Sequence, residues 1–272
     1  MEIKDLEGKV LHDLGNDVET LTGADLSLLD LRRADLINAD LKGADLEGAD
    51  LREACLKGAD LRDADLTKAN LKDADLREAN LEAALCEEAN FEEANLREAS
   101  LETVSCAKAN FHRADLGGAN LKQASLMKAD LSGAYLGKAN LEEAYLRKAN
   151  LEGADLGGAS LVGAGFKGAN LRDAWLWNAC LVATNFTEAF LLNANFNGSD
   201  MRTLIGVISF KLTKDFGYAW KDGEEIIVKL GCLEYPLQYW LDNSVEFGKR
   251  YRYTEADINL YISMLKLIQR YF

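Results

Sequence analysis

Between residues 21 and 201 the apolar positions recur neither every second residue nor every third or fourth. They fall at places 0 and 3 of a five-residue unit, as in GADLEGADLREACLKGADLRDADL (Gly43 to Leu66). A strand buries alternate side chains and a helix buries a stripe at three- and four-residue spacing, so neither element fits this beat. A chain that turns a corner once per unit does fit, with the Ala and the central Leu inside and the other three residues facing water. Centres fall at every fifth residue from Leu26 to Met201, 36 units with no insertion. Such a short fixed period specifies a solenoid, whose units bury their apolar faces only by stacking on neighbours.

Exceptions to the beat set its higher order. Among the centres that are not Leu, Cys86 and Cys106, Phe91 and Phe111, and Phe166 and Phe186 form three pairs, each twenty residues apart. Odd-sized side chains pack best against their own kind in the next layer, so each coil is expected to hold four units. The repeats then make about nine coils and, at ~4.8 Å per layer, a rod roughly 43 Å long. Val104 and Thr184 take the place of the inward Ala, and Leu29 does so in the second unit, which marks the first coil as irregular.

Units of the form Ala, Asp or Asn, Leu, X, X resemble the pentapeptide repeat family over about residues 21 to 201. The resemblance implies a mainly β fold, a right-handed quadrilateral β-helix of four short sides per coil, to which the residues beyond 201 are expected to add a small C-terminal α+β cap. Some members of the family inhibit or protect type II topoisomerases by imitating duplex DNA in size and charge.

A solenoid needs covered ends, because an open coil exposes unpaired backbone and an apolar cross-section. Residues 1–20 contain two short apolar runs, Glu2-Ile3-Lys4 and Val10-Leu11-His12, that read as an N-terminal cap hairpin. Residues 202–272 leave the five-residue phase. Phe216 to Trp220 and Glu225 to Leu230 flank the turn signal Lys221-Asp222-Gly223, which predicts a second hairpin. Pro236 suits the first turn of a helix over Leu237 to Phe247 ended by Gly248. Thr254 with Asp257 starts a last helix whose apolar face carries Ile258, Tyr261, Ile262, Leu265, Ile268 and Phe272. The opening MEIKDLEGKVLHDL and the string DGEEIIVKLGCLEYPLQYW also resemble the ends of pentapeptide repeat proteins from phages and prophages.

Composition adds mainly exclusions. No basic stretch precedes an apolar run at the start and no eighteen-residue apolar segment occurs, so a cytoplasmic protein without a membrane span is expected. Five cysteines without CxxC spacing argue against a disulfide framework or a zinc site, and Cys86, Cys106 and Cys232 read as reduced core thiols. The two histidines, His12 and His112, lie far apart, and no HExxH, GxSxG, phosphate-loop or dinucleotide motif is present. No enzyme activity, metal or cofactor is expected.

Charge and misplaced aromatics carry what functional signal there is. Residues 21 to 100 hold 20 acidic and 10 basic side chains, net −10, against 10 and 9 over residues 101 to 201. Asp25, Asp30, Asp35, Asp40, Asp45, Asp50, Asp60, Asp65 and Asp75 form the candidate acidic face. Outward slots hold Tyr135, Tyr145, Trp175, Trp177, Phe190 and Leu192, with Leu85 and Val182, and most lie near the exit of the rod. Such a patch either receives the folded-back C-terminal segment, the favoured expectation, or contacts another chain. A homodimer through the C-terminal region would use the same chemistry. The leading expectation is a rigid scaffold for an unknown partner protein. The alternative is a DNA-mimicking regulator of a topoisomerase or other DNA-binding protein, with no direct contact to nucleic acid.

Overall fold

The structure, a computed structural model, describes residues 2–13, 20–191, 193–196, 198–200, 207–211, 216–222, 224–230 and 233–271. From Asp25 to Cys180 every outward Asp-type position forms a parallel bridge with the residue twenty further on. The coil therefore holds four units, as the Cys and Phe pairs require, and the bridges define four sides led by Asp25, Asp30, Asp35 and Asp40. The central Leu and the Ala of successive units fill one continuous buried core. Phe91 and Phe111 stack with centroids 4.7 Å apart and planes 1° from parallel, the spacing of neighbouring strands.

One mid-rod unit shows how the corner is made. Leu71 N–H donates to the Asn90 carbonyl (2.7 Å), Asp73 N–H to Glu92 (3.0 Å), Ala74 N–H to Leu71 (3.1 Å) and Asp75 N–H to Ala54 (3.0 Å). The fifth donor, Lys72 N–H, goes to the Asn70 side chain (3.3 Å). The recurring Asp or Asn is thus an Asx-turn acceptor that satisfies the one N–H the ladder leaves over. Residue +2 from each described centre, Leu26 to Phe196, has positive φ, Asp73 at 60° for example, as the third residue of a type II turn requires. Where the inward Ala becomes Thr184, its hydroxyl donates to the Leu161 carbonyl at 2.8 Å, so the buried polar atom is paired. Ser199 does the same toward Leu176.

At the front, β1 (Glu2–Lys4) and β2 (Val10–Asp13) pair antiparallel. Asp35 N–H donates to the Lys4 carbonyl at 2.8 Å, and Ile3 enters the rod core. At the back, β3 (Val207–Lys211), β4 (Phe216–Asp222), β5 (Glu225–Leu230) and β6 (Leu233–Pro236) form one antiparallel sheet in chain order. The sequence showed only the β4–β5 hairpin within it. Side chains of β4 and β5 alternate between two layers: Trp220 and Ile227 close the rod core, while Ala219 and Val228 pack on Leu237, Trp240, Tyr261, Leu265 and Ile268. Those residues belong to α1 (Leu237–Arg250) and α2 (Glu255–Tyr271). Trp240 Nε1 donates to the Val228 carbonyl at 2.7 Å, so its burial leaves no donor unmet.

Three local expectations change. Pro236 is the N-cap of α1 rather than its first turn, and Gly248 lies inside α1 rather than ending it. A Cβ on Gly248 would lie 2.6 Å from Ile258 Cδ1, so this glycine lets the two helices approach. The helix ends instead at Arg250, with Tyr251 as its C-cap and Arg252 at φ 58°. Tyr253 N–H donates to Gly248 O (2.9 Å) and Arg252 N–H to Lys249 O (3.2 Å), a Schellman motif with Arg in the usual glycine place. The α2 start agrees with the sequence reading: Asp257 N–H donates to Thr254 Oγ1 (3.2 Å) and Thr254 N–H to Asp257 Oδ2 (3.1 Å). Met201, Gly223, Cys232 and Phe272 lie outside the described residues.

Candidate interaction surface

Replacing the outward Asp or Asn removes the Asx acceptor and puts another side chain on the side wall. The Asp35 side runs Asp35, Cys55, Asp75, Asn95, Asp115, Tyr135, Asp155, Trp175, Asn195. Two places along from this column stand Gly117, Gly137 and Gly157, one above another, followed by Trp177. All three glycines are buried although they sit on the outer wall. Their cover is aromatic. A Cβ on Gly117 would lie 2.7 Å from Tyr135 Cε1, one on Gly137 2.5 Å from Tyr135 Cζ, and one on Gly157 2.6 Å from Trp177 Cζ2. The rings rest on a strip of bare backbone that only glycine provides.

Tyr135, Trp175 and Trp177 remain 41%, 56% and 41% exposed. This corrects the expectation that the C-terminal segment folds onto them. The cap docks instead on the end of the rod, where Lys229 Nζ donates to the Ala194 carbonyl (3.0 Å), Asn193 N–H to Glu234 Oε1 (3.0 Å), and Tyr218 meets Phe196 with ring centroids 5.6 Å apart. Of the other outward candidates, Tyr145 and Leu85 share the Asp25 side three layers apart, and both are exposed. Phe190 is half-buried on the Asp30 side with the Arg172 guanidinium 4.8 Å over its ring. Leu192 lies outside the described residues. The glycine strip went unread in the sequence, yet its signal, glycines at a spacing of twenty beneath aromatic positions, is present there.

The nine front carboxylates do not share one face. Asp25, Asp45 and Asp65 stack on one side, Asp30 and Asp50 on the next, Asp35 and Asp75 on the third, Asp40 and Asp60 on the fourth. Four of them are forked by the Arg two residues on: Arg32 on Asp30 (2.7 and 2.6 Å), Arg52 on Asp50 (2.8 and 2.6 Å), Arg62 on Asp60 (2.8 and 2.5 Å) and Arg77 on Asp75 (2.8 and 2.6 Å). These Arg hydrogen bonds lower all four carboxyl pKa values, that of Asp30 to about 2.

Nucleophilic and thiol chemistry finds little support here. His112 Nδ1 lies 2.8 Å from Ser132 Oγ, but the neighbouring N–H groups that could cradle an oxyanion are engaged, Ser132 with Asp130 Oδ1 (3.0 Å) and Gly133 with the Glu152 carbonyl (2.9 Å). Cys86 and Cys106 are free and buried, and burial, with a hydrogen bond to Cys86, pushes the Cys106 thiol well above its ordinary value. Among the described residues no group of His, Cys, Asp or Glu is placed to hold a metal ion, and no helix is long and apolar enough to cross a membrane.

The model of the family described as pentapeptide repeats matches eight overlapping copies between residues 20 and 202. The chain belongs to the pentapeptide repeat family. Among solved structures, this pentapeptide repeat protein is similar to HetL, described as involved in heterocyst differentiation regulation, from the cyanobacterium Nostoc sp. strain PCC 7120. The two are 35% identical, the match covers 69% of this chain and 82% of HetL, and the TM-score is 0.52. A likeness in fold alone extends to a trypsin-treated form of QnrB1, described as a plasmid-mediated fluoroquinolone resistance protein, at 18% identity, coverage of 68% and 89%, and a TM-score of 0.51. No curated protein matches the chain. Pentapeptide repeat proteins form right-handed β-helices, and the twenty-residue bridges accord with that architecture.

Proposed function

We propose that this chain is a non-catalytic interaction scaffold: a rod of about nine coils that presents Tyr135, Trp175 and Trp177 to a partner protein. The observation that carries the reading is the set of three large rings left exposed on one side of the rod, two of them seated on buried glycines. Aromatic residues held rigid and half in water are the side chains that dominate protein interfaces. HetL, described as involved in regulation, has a role that binding without chemistry can serve. The test is capture of cross-linked partners from cells expressing the protein, with wild type and the triple variant Tyr135→Ala, Trp175→Ala, Trp177→Ala side by side. The reading expects a partner held by wild type and reduced at least about tenfold in the triple variant, whose circular dichroism is unchanged. Equal capture by both sinks it.

One column favours a second reading, a DNA-mimicking regulator of a type II topoisomerase or other DNA-binding protein. Asp25, Asp45 and Asp65 stack along one side, and none is followed two residues on by an Arg. Duplex DNA carries about one charge per 1.7 Å. The Arg forks on the neighbouring sides weigh against a continuous negative face. Supercoiling by purified gyrase left unchanged by micromolar protein removes this reading.

A further inference from the structure

We propose that the ring face of the Asp35 side takes a proline-rich, extended segment of its partner, with prolines against Tyr135, Trp175 and Trp177 and a basic residue against Asp155. This rests on the scaffold reading above and names the chemistry of what the rings hold.

The wall itself narrows the modes by which a peptide can dock. Addition of a strand needs free backbone groups, but on this side Tyr135 N–H, Leu136 N–H, Lys138 N–H, Asp155 N–H and Leu156 N–H all donate within the ladder at 2.6 to 3.0 Å. An amphipathic helix needs a groove, whereas here the glycine strip is filled by the rings that lie on it. A polyproline II chain needs neither. It has no internal hydrogen bonds, arrives already extended, and stacks its pyrrolidine rings on flat aromatic faces. Its carbonyls seek donors, and the Tyr135 phenol and the Trp175 indole each carry one.

Spacing and charge point the same way. Tyr135 and Trp175 stand two layers apart, with Asp155 between them in the same column. Two layers are ~9.6 Å, and one polyproline II turn of three residues is ~9.3 Å, so successive turns of a chain laid along the rod axis meet successive rings. Asp115 below is engaged by Arg97 Nη1 at 3.3 Å. Asp155 accepts Gly157 N–H at 2.8 Å and has no cationic partner among the described residues, so it is the carboxylate left for a basic residue set between the prolines that meet the two rings.

Isothermal titration of the full chain with an acetylated peptide of about ten prolines interrupted at its centre by one arginine tests this, beside a Gly-Ser peptide of equal length and charge and beside cellohexaose. The expected result is a Kd of roughly 10 µM to 1 mM for the proline peptide alone. Trp175→Ala weakens it at least about tenfold, and Tyr145→Ala, on another side, leaves it unchanged. Asp155→Asn weakens the peptide with the central arginine but not one of prolines alone. Three results overturn the proposal: no binding of the proline peptide at several millimolar, equal binding of the Gly-Ser peptide, or binding of cellohexaose lost with Trp175, which makes the face a carbohydrate platform. If the peptide fails while partner capture still depends on the rings, the segment class is wrong and the scaffold stands. If both fail, both fall.

Discussion

Each residue of the repeat answers a separate physical demand, and the Asp or Asn answers the least obvious one. Asn90 accepts Glu92 N–H (3.1 Å), donates to Asn70 Oδ1 (3.1 Å) and accepts from Asn110 (2.9 Å). Asn90→Ala should therefore destabilise the rod by about 1–3 kcal/mol in urea unfolding, whereas Glu92→Ala breaks only a half-exposed ion pair with Lys72 and should cost well under ~1 kcal/mol. The corners carry the opposite kind of opportunity. Ala83 sits at φ 58° with a Cβ that the left-handed region disfavours, so Ala83→Gly should raise stability, by about 0.5 kcal/mol once the freer unfolded chain is counted. Acid should act through the Arg forks. The carboxyl pKa of Asp30 is lowered by Arg32 in the folded rod to about 2, below its unfolded value near ~3.9. Its contribution is therefore complete above that unfolded value and lost as pH falls toward 2. The melting temperature should drop over that window, and Asp30→Asn with Asp50→Asn should flatten the drop.

At the scale of elements, what was legible in the sequence depended on whether a signal had one meaning or two. The period of twenty was readable because Cys86 with Cys106 and Phe91 with Phe111 leave no other register. The capping pair Thr254 and Asp257 was readable because its chemistry is local. Gly248 misled, since a glycine that ends a helix and one that admits a neighbouring helix look alike in a sequence. Arg252, which performs the termination, carries no such mark. Two substitutions separate these roles. Gly248→Ala drives a methyl into Ile258 and should destabilise the α1–α2 pair by about 1–3 kcal/mol, visible as earlier loss of the helical signal on heating. Arg252→Gly should stabilise it by up to about 1 kcal/mol. Strands β3 and β6 were missed because Val207–Lys211 and Leu233–Pro236 are short and marked by no turn motif of their own.

For the whole molecule, the twenty-residue ladder makes length and phase separable. Removing residues 116–135 takes out one layer and keeps every later residue on its own side, so the shortened chain should fold into a rod shorter by about 4.8 Å, measurable by small-angle scattering. Removing only 116–120 moves everything beyond it one side round: Tyr135, Trp175, Trp177, Gly137 and Gly157 keep their mutual alignment, while Gly117 is lost and His112 comes to lie beneath Tyr135 in its place. That variant should retain both the β-helical circular dichroism and capture through the rings, which binding assays on the purified variant would check. The ring face was half legible for the same reason: the aromatics stand out as misplaced residues, whereas their floor appears only when the chain is wound at the right period. The ladder also sets how the rod meets mechanical load. Its bonds run along the axis from layer to layer, so tension on the two ends loads one layer contact at a time rather than all together. Each turn that peels away frees twenty residues, about 66–72 Å of extended chain. Drawn out in an optical trap, the protein should therefore lengthen in a regular staircase of near-equal steps.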